Sequence, residues 1–166
     1  MIIPVSLDSE LAKWLKHCRK LVILGIGNPL KADDALGLRI LKGLRGKVSP
    51  SVELIEAETM PENFTEEIER SRPSHVLFVD AAHFGTEPGT TKLIPPEKIA
   101  GITVSTHAMP IYVLAEILEK NINAKVALLG VQPKTIELSE ELSPEIKEAT
   151  RKIVEVLANA LKEVCV

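Results

Sequence analysis

Four runs of mostly apolar residues constrain the fold of this chain more than any other feature. A strand in a sheet with one solvent-exposed face alternates polar and apolar residues, and three of these runs lack that alternation. We therefore expect both faces of the sheet to be covered by other elements. The runs are "LVILGIG" (21–27), "VELIEA" (52–57), "HVLFVDAA" (75–82) and "KVALLGV" (125–131). A fifth, shorter run, "TTKLI" (90–94), follows "EPG" and is predicted to be an antiparallel strand at the edge.

Amphipathic patterns typical of helices separate these strands. The last helix is the clearest, because Ser143 can cap it and Pro144 suits its first turn. Strands that alternate with helices need crossover connections. We therefore predict one α/β domain over residues 1–166, a three-layer α/β/α sandwich of the phosphorylase/hydrolase-like type with a mostly parallel, five-stranded twisted sheet. The helical patterns span residues 7–18, 34–45, 62–70, 109–119 and 143–164.

Composition excludes several classes of function. The 166 residues carry a net charge of −3, which argues against a nucleic-acid-binding protein. The chain has no apolar run of about 18 residues, so membrane insertion is not expected. Its first residues lack the pattern of a signal peptide, and we expect a cytoplasmic protein. Cys18 and Cys165 are accordingly predicted to be free thiols, with a disulfide between the chain ends as the alternative.

Acidic residues and one histidine follow the predicted strands. Asp33 and Asp34 come after the first strand and open a helix, Asp80 ends the third, and His107 precedes another helix. Ligands of open α/β sheets bind beyond the carboxyl ends of the strands, so these side chains are predicted to share one edge. Carboxylate oxygen and imidazole nitrogen together form a suitable ligand set for a divalent transition metal.

Each of these residues also has a purely structural interpretation. An acid at a helix start is usually a cap, so the pair Asp33 and Asp34 indicates one cap and one spare carboxylate. Asp80 ends an apolar run and would need a partner if it is buried, which a simple hydrogen bond could provide. His107 alone would more often be an ordinary loop histidine.

The other histidines and the missing motifs limit the kinds of site that this chain can form. His83 lies three residues after Asp80 and could compete as a ligand, but "AAHFG" is typical of an exposed turn. His17 and His75 have no supporting neighbours. A dinucleotide site is excluded because Leu30 stands where the third glycine of Gly-x-Gly-x-x-Gly is required, and no phosphate loop or serine-nucleophile motif is present.

The motifs taken together resemble one enzyme family. "GIGNPLKADDALG", "AETMPENF", "VDAAHFGTEPG", "THAMP" and "LLGVQP" occur in this order. Over about residues 21–161 the chain resembles the hydrogenase maturation endopeptidases, which remove a C-terminal extension from the large subunit of nickel–iron hydrogenases. It looks most like the branch that serves hydrogenase 3-type enzymes.

The resemblance implies a site and a partner. The family's metal-binding and catalytic residues match Asp34, Asp80 and His107, and this choice of Asp34 over Asp33 comes from the family. The implied metal is nickel supplied by the substrate, with no organic cofactor, and the implied partner is the precursor of a [NiFe]-hydrogenase large subunit. The family often has a third acid where this chain has His83, so the chain departs from the family's pattern at this position.

Two other functions are compatible with these residues. One is a related metal- or acid-dependent hydrolase with another substrate. The other is a non-proteolytic nickel-sensing or chaperone module for hydrogenase maturation. Within a protease, the metal could polarise the scissile carbonyl or lower the pKa of the attacking water, or an aspartate could be the general base. The sequence leaves these routes open.

Overall fold

The sheet has the predicted arrangement. The computed structural model describes residues 6–104 and 109–162. Neighbouring strands follow the order β2-β1-β3-β6-β4, all parallel except β4, which runs antiparallel to β6 at the edge. The prediction of five strands with an antiparallel edge strand is confirmed. The strands are β1 (Leu21–Ile26), β2 (Val52–Glu58), β3 (His75–His83), β4 (Thr91–Ile94), β5 (Thr103–Val104) and β6 (Lys125–Val131).

Two short elements were not predicted. β5 consists of two residues that pair antiparallel with Ala82 and His83 at the end of β3. Such a strand is too short to show a pattern. Helix α4 is a single turn that starts at Pro96. The six helices among the described residues are α1 (Leu7–Trp14), α2 (Leu36–Leu44), α3 (Thr65–Ser71), α4 (Pro96–Ile99), α5 (Ile111–Ile122) and α6 (Pro144–Leu161).

The helices cover both faces of the sheet, which confirms the three-layer sandwich. Helices α1, α2 and α6 bury their apolar side chains in one cluster with Leu21 and Ile23 of β1. Helices α3, α4 and α5 do so in a second cluster with Val22 and Leu24. Successive side chains of a strand point to opposite faces, so each buried strand supplies both clusters. This double burial explains the uninterrupted apolar runs of the sequence.

Cys18 corrects one prediction. The residue is buried between α1 and the helical layer that includes Leu161, and it is disulfide-bonded. The chain's other cysteine, Cys165, lies outside the described residues. The expectation of free thiols is therefore wrong for Cys18. The helix before Cys18, α1, packs against α6, a contact between distant parts of the chain that no local pattern in the sequence predicts.

Candidate active site

The crevice between β1 and β3 is the topological switch point of the sheet. From β1 the chain crosses through α2 to β2 on one side, whereas β3 lies on the other side of β1. Gly25 of β1 is in register with Val79 of β3, so the turn after β1 begins beside Asp80, which is still part of β3 and pairs with Gly130 of β6. Doubly wound sheets bind their ligands in this crevice, beyond the carboxyl ends of the strands.

Asp34 is held beside this crevice by a tight turn after β1. Gly27 has a φ of 147°, and a Cβ at this position would collide with the carbonyl oxygen of Asp34. The amide of Asn28 donates to Asp34 Oδ2 at 2.8 Å. Asp34 belongs to a 3-10 turn, Ala32–Ala35, that leads into α2, and only 6% of its surface is exposed. The glycine turn therefore folds back closely enough to fix a carboxylate at the sheet edge.

Asp33 has a different set of partners, all in the segment between β6 and α6. Its carboxylate accepts the amides of Lys134, Thr135 and Ser143 at 2.9, 3.0 and 2.7 Å. It also accepts the hydroxyl of Ser143 at 2.8 Å. Ser143 is the N-cap residue of α6, but its side chain makes no capping bond, because its hydroxyl donates to Asp33. Asp33 is thus a structural anchor that sequence reasoning did not assign.

Asp80 lies on the other side of the crevice, near the end of β3. It is fully buried, and its Oδ1 accepts the amide of Ala81 at 2.8 Å. The alternation of the strand places its side chain on the face shared by Val76 and Phe78, the face covered by α3 and α5. The structure therefore puts Asp34 and Asp80 at the carboxyl ends of adjacent strands.

Gly37 brings the start of α2 against both strands. A Cβ at Gly37 would collide with the carbonyl oxygens of Ile26 and Val79, the residues that end β1 and precede Asp80. Helix α2 thus lies directly on the ends of β1 and β3, three residues after Asp34. This close contact fixes the start of α2 against both strand ends, and it requires a residue without a Cβ.

His107 lies outside the described residues, as do its neighbours at 105–108. The described segments on either side are attached near Asp80: Val104 pairs with Ala82, and α5 begins at Ile111 on the face shared by Asp80. The convergence of His107 with the two acids stays a prediction. Among residues 6–104 and 109–162, no three His, Cys, Asp or Glu side chains form a group that could hold a metal ion.

Comparison with known proteins identifies the family. The model of the HycI hydrogenase maturation protease family matches residues 38–160. The chain belongs to the hydrogenase maturation protease family. The Hydrogenase 3 maturation protease of Escherichia coli (strain K12) is 30% identical over 137 residues, which cover 82% of this chain and 87% of that protein.

Two solved structures of such proteases have the same fold. The [NiFe] hydrogenase maturation protease HycI from Thermococcus kodakarensis KOD1 superposes with a TM-score of 0.85 at 35% identity, over 92% of this chain and 99% of that one. The solution structure of the endopeptidase HycI from Escherichia coli gives a TM-score of 0.74 at 29% identity, over 84% and 90% of the two chains. The described part of this protease includes no helix that is long and apolar enough to cross a membrane.

The other histidines of this hydrogenase maturation protease have distinct environments. His83 is the exposed last residue of β3, and strand alternation points it to the face opposite that of Asp80. His17 is exposed after α1. His75 lies at the other end of β3, where its Nε2 is 3.0 Å from the carbonyl oxygen of Trp14. Burial lowers the pKa of His75 below its ordinary value, and the nearby charge of Lys125 lowers it further.

Two residues near the crevice between β1 and β3 have uncommon backbone conformations. Ala32, before the acid pair, has a φ of 44°, and Glu58, the last residue of β2, has a φ of 53°. The carbonyl of Glu58 accepts the amide of Gly27 at 2.8 Å. Left-handed conformations are costly for residues with a Cβ and often occur at functional sites. Here they flank the turn that carries Asp34.

Proposed function

We propose that this chain is an endopeptidase that removes the C-terminal extension from the precursor of a [NiFe]-hydrogenase large subunit once that precursor carries nickel. One observation supports the proposal above all others. Asp34 and Asp80 flank the switch-point crevice, where this fold binds ligands, while the neighbouring Asp33 is engaged in structural hydrogen bonds. The family to which the chain belongs supplies the reaction class, and its relatives are named for hydrogenase maturation.

The donor set suits nickel that belongs to the substrate. Asp34 and Asp80 contribute carboxylate oxygens, and His107 would contribute an imidazole nitrogen, a mixed set that first-row divalent metals accept. Three protein ligands leave coordination positions for groups of the precursor or for water. A metal at this place can polarise a carbonyl or lower the pKa of a water molecule. One of the aspartates can alternatively serve as the general base.

A shared ion would also give selectivity. Nickel-loaded precursor would gain ligands from the protease, whereas empty precursor would cover the carboxylates of Asp34 and Asp80 without supplying a cation. Like charges that face each other in a partly buried site repel. The protease would therefore bind loaded precursor more tightly than empty precursor, and cleavage would follow completed metal insertion.

Mass spectrometry of the precursor tests this function. The purified chain is incubated with nickel-loaded and with nickel-free precursor, and the masses of the products are measured. We expect loss of the C-terminal extension from the loaded precursor alone. Equal cleavage of both forms would contradict nickel gating. Tight binding without any cleavage would instead identify the chain as a non-proteolytic nickel-sensing module.

A further inference from the structure

The exposed large apolar side chains of the described residues all lie at the edge of the sheet that carries the site. They belong to the segments that follow β1, β2 and β6 and to the first turn of α5, which starts at the same edge. Large apolar groups that collect on one side of a soluble protein mark interaction surfaces. The five residues are Leu30 (53% exposed), Met60 (45%), Tyr112 (38%), Ile136 (45%) and Leu138 (85%).

Three of these residues form one surface, which we call the apolar rim: Leu30, Ile136 and Leu138. The segment after β6 runs beside the segment after β1, because the amide of Ser139 donates to the carbonyl of Leu30 at 3.0 Å. The amide of Ala32 donates back to the carbonyl of Ser139 at 2.8 Å. A parallel bridge pairs Lys31 with Ser139, so the preceding residues Leu30 and Leu138 are neighbours on adjacent segments. Leu30 lies four residues before Asp34 in the chain.

The apolar rim is fixed by the structure. Asp33 accepts the amides of Lys134 and Thr135 on one side of the rim and that of Ser143 on the other. The amide of Asp33 also donates to the carbonyl of Thr135 at 3.1 Å. A segment held at both ends loses little conformational freedom when a partner covers it, which reduces the entropic cost of binding. Leu138 is thus held in its exposed position before any partner binds.

Charges of both signs border the apolar rim. Glu137 and Glu140 are exposed. The exposed Lys31 pairs with Ser139 across the bridge, and the exposed Arg39 donates to the carbonyl of Glu140 at 2.7 Å. Apolar side chains inside a border of mixed charge match the core and rim of a protein–protein interface, so the expected partner is a folded protein.

We propose that the apolar rim docks the folded body of the same precursor whose extension is removed at Asp34 and Asp80. This inference rests on the proposed function. The rim is continuous with the site through Ala32, whose amide bonds to Ser139, so Leu30 and Leu138 offer a contact surface to a protein whose C-terminal segment enters the crevice. Docking here would let the protease recognise a folded precursor and ignore a free peptide that carries the same scissile sequence.

Substitution of the most exposed leucine provides the test. Leu138→Ser removes the apolar group without disturbing the core, and Leu138→Met is the matched control that keeps it. We expect the Kd of the nickel-loaded precursor, measured by biolayer interferometry, to rise by about tenfold or more for Leu138→Ser, as the loss of one well-buried leucine contact implies. The KM of cleavage should rise in parallel with little change in kcat, and Leu138→Met should match the wild type. Thermal melts verify that both variants fold.

The possible outcomes separate docking from the proposed function. Wild-type protein that binds the precursor but does not cleave it would refute the proteolytic function, and the Kd ratio would still decide the docking. An unchanged Kd and KM for both Leu138→Ser and Leu30→Ser would overturn the docking proposal while cleavage persists. The wild type could instead prove to be a dimer that Leu138→Ser converts to a monomer with unchanged precursor affinity. This result would show that a second copy of the chain covers the rim, and it would also overturn the docking proposal.

Discussion

Asp33 and Asp34 are adjacent in the chain, but their carboxylates hold different parts of the protein. Asp33 accepts the amide and the hydroxyl of Ser143 at the start of α6, 110 positions away. Asp34 accepts the amide of Asn28 in its own turn. One acid thus fastens the segment before α6 to the site, and the other lies beside the crevice. The two positions are expected to respond to substitution in different ways.

Replacement of Asp33 by Asn should reduce stability. An amide has one acceptor oxygen and no charge, so it cannot satisfy the four donors that now bind the carboxylate. We expect a loss of roughly 2–4 kcal/mol in the free energy of unfolding, because hydrogen bonds to charged groups contribute about 1.5–3 kcal/mol each. Urea denaturation measures the change. A stability equal to that of the wild type would show that these bonds contribute nothing net.

Replacement of Asp34 by Asn should leave the fold intact and impair cleavage. The amide oxygen of Asn can still accept the amide of Asn28, but the negative charge at the crevice is lost. We expect kcat/KM for the nickel-loaded precursor to fall by roughly 100-fold or more, since loss of a group that merely supports a metal ligand costs about 10–100-fold. Asp80→Asn should behave similarly, with some loss of stability because that site is fully buried. Unimpaired cleavage by Asp34→Asn would remove this residue from the proposed site.

Replacement of Gly37 by Ala should separate α2 from the strand ends. The added methyl group would meet the carbonyl oxygens of Ile26 and Val79, which belong to the rigid sheet. Overpacking of this kind costs about 1–3 kcal/mol or more. The matched control is Gly43→Ala in the same helix, where the methyl group would meet only the side chain of Val154. A thermal melt that lowers the Tm of Gly43→Ala more than that of Gly37→Ala would contradict the prediction.

Much of the fold could be predicted from local sequence patterns. The strands are buried on both faces and are therefore continuously apolar. The long helices are buried on one face and therefore carry one apolar stripe, so both kinds of element could be predicted from the spacing of apolar residues. β5 and α4 were missed because two to four residues carry no period. The predicted helix starts at 34 and 62 fell within 3-10 turns, Ala32–Ala35 and Pro61–Phe64, that precede α2 and α3. Such turns have nearly the same side-chain pattern as a first helical turn.

The site could be predicted less completely, because its arrangement depends on contacts distant in sequence. The carboxyl ends of the strands indicated Asp34 and Asp80. Asp33 and Asp34 differ because the carboxylate of Asp33 accepts backbone amides from residues 134–143. The sequence around the pair does not indicate these donors. The disulfide bond of Cys18 could likewise not be predicted from the residues around it. No sequence pattern singled out the exposed Leu138, because its place beside Leu30 depends on the bridge between Lys31 and Ser139.

His83 is expected to be dispensable for processing. It is exposed and lies on the face of β3 opposite that of Asp80. We expect His83→Ala to cleave nickel-loaded precursor within about twofold of the wild-type rate, because surface substitutions outside a site have small effects. His107→Ala serves as the comparison and should lose most activity. Equal losses for the two variants would show that His83 contributes to processing as much as His107 does.

His75 should make stability depend on pH. Its ring is buried at the amino end of β3, 5.0 Å from the ring of Trp14 in an edge arrangement, with Nδ1 2.9 Å from Ser74 Oγ. Burial lowers the pKa of His75 below the ordinary 6.5, and the charge of Lys125 acts in the same direction. The unfolded chain therefore binds a proton more readily than the folded one. The contribution of His75 is fully present above pH 6.5 and is lost as the pH falls towards the lower pKa of the folded state.

His75→Phe isolates this contribution. The phenyl ring keeps the apolar contact with Trp14 and cannot titrate, while Lys125 Nζ still donates to the carbonyl of Trp14 at 3.1 Å. Carboxylates elsewhere change the stability of both proteins equally, so the informative quantity is the difference between their free energies of unfolding. Urea denaturation across about pH 5–7.5, the range where histidine titrates, should show this difference move against the wild type as the pH falls. A difference that stays constant over the range would mean that His75 has the same pKa in the folded and unfolded chain. A difference that moves in favour of the wild type would mean that the hydrogen bond to Trp14 outweighs burial.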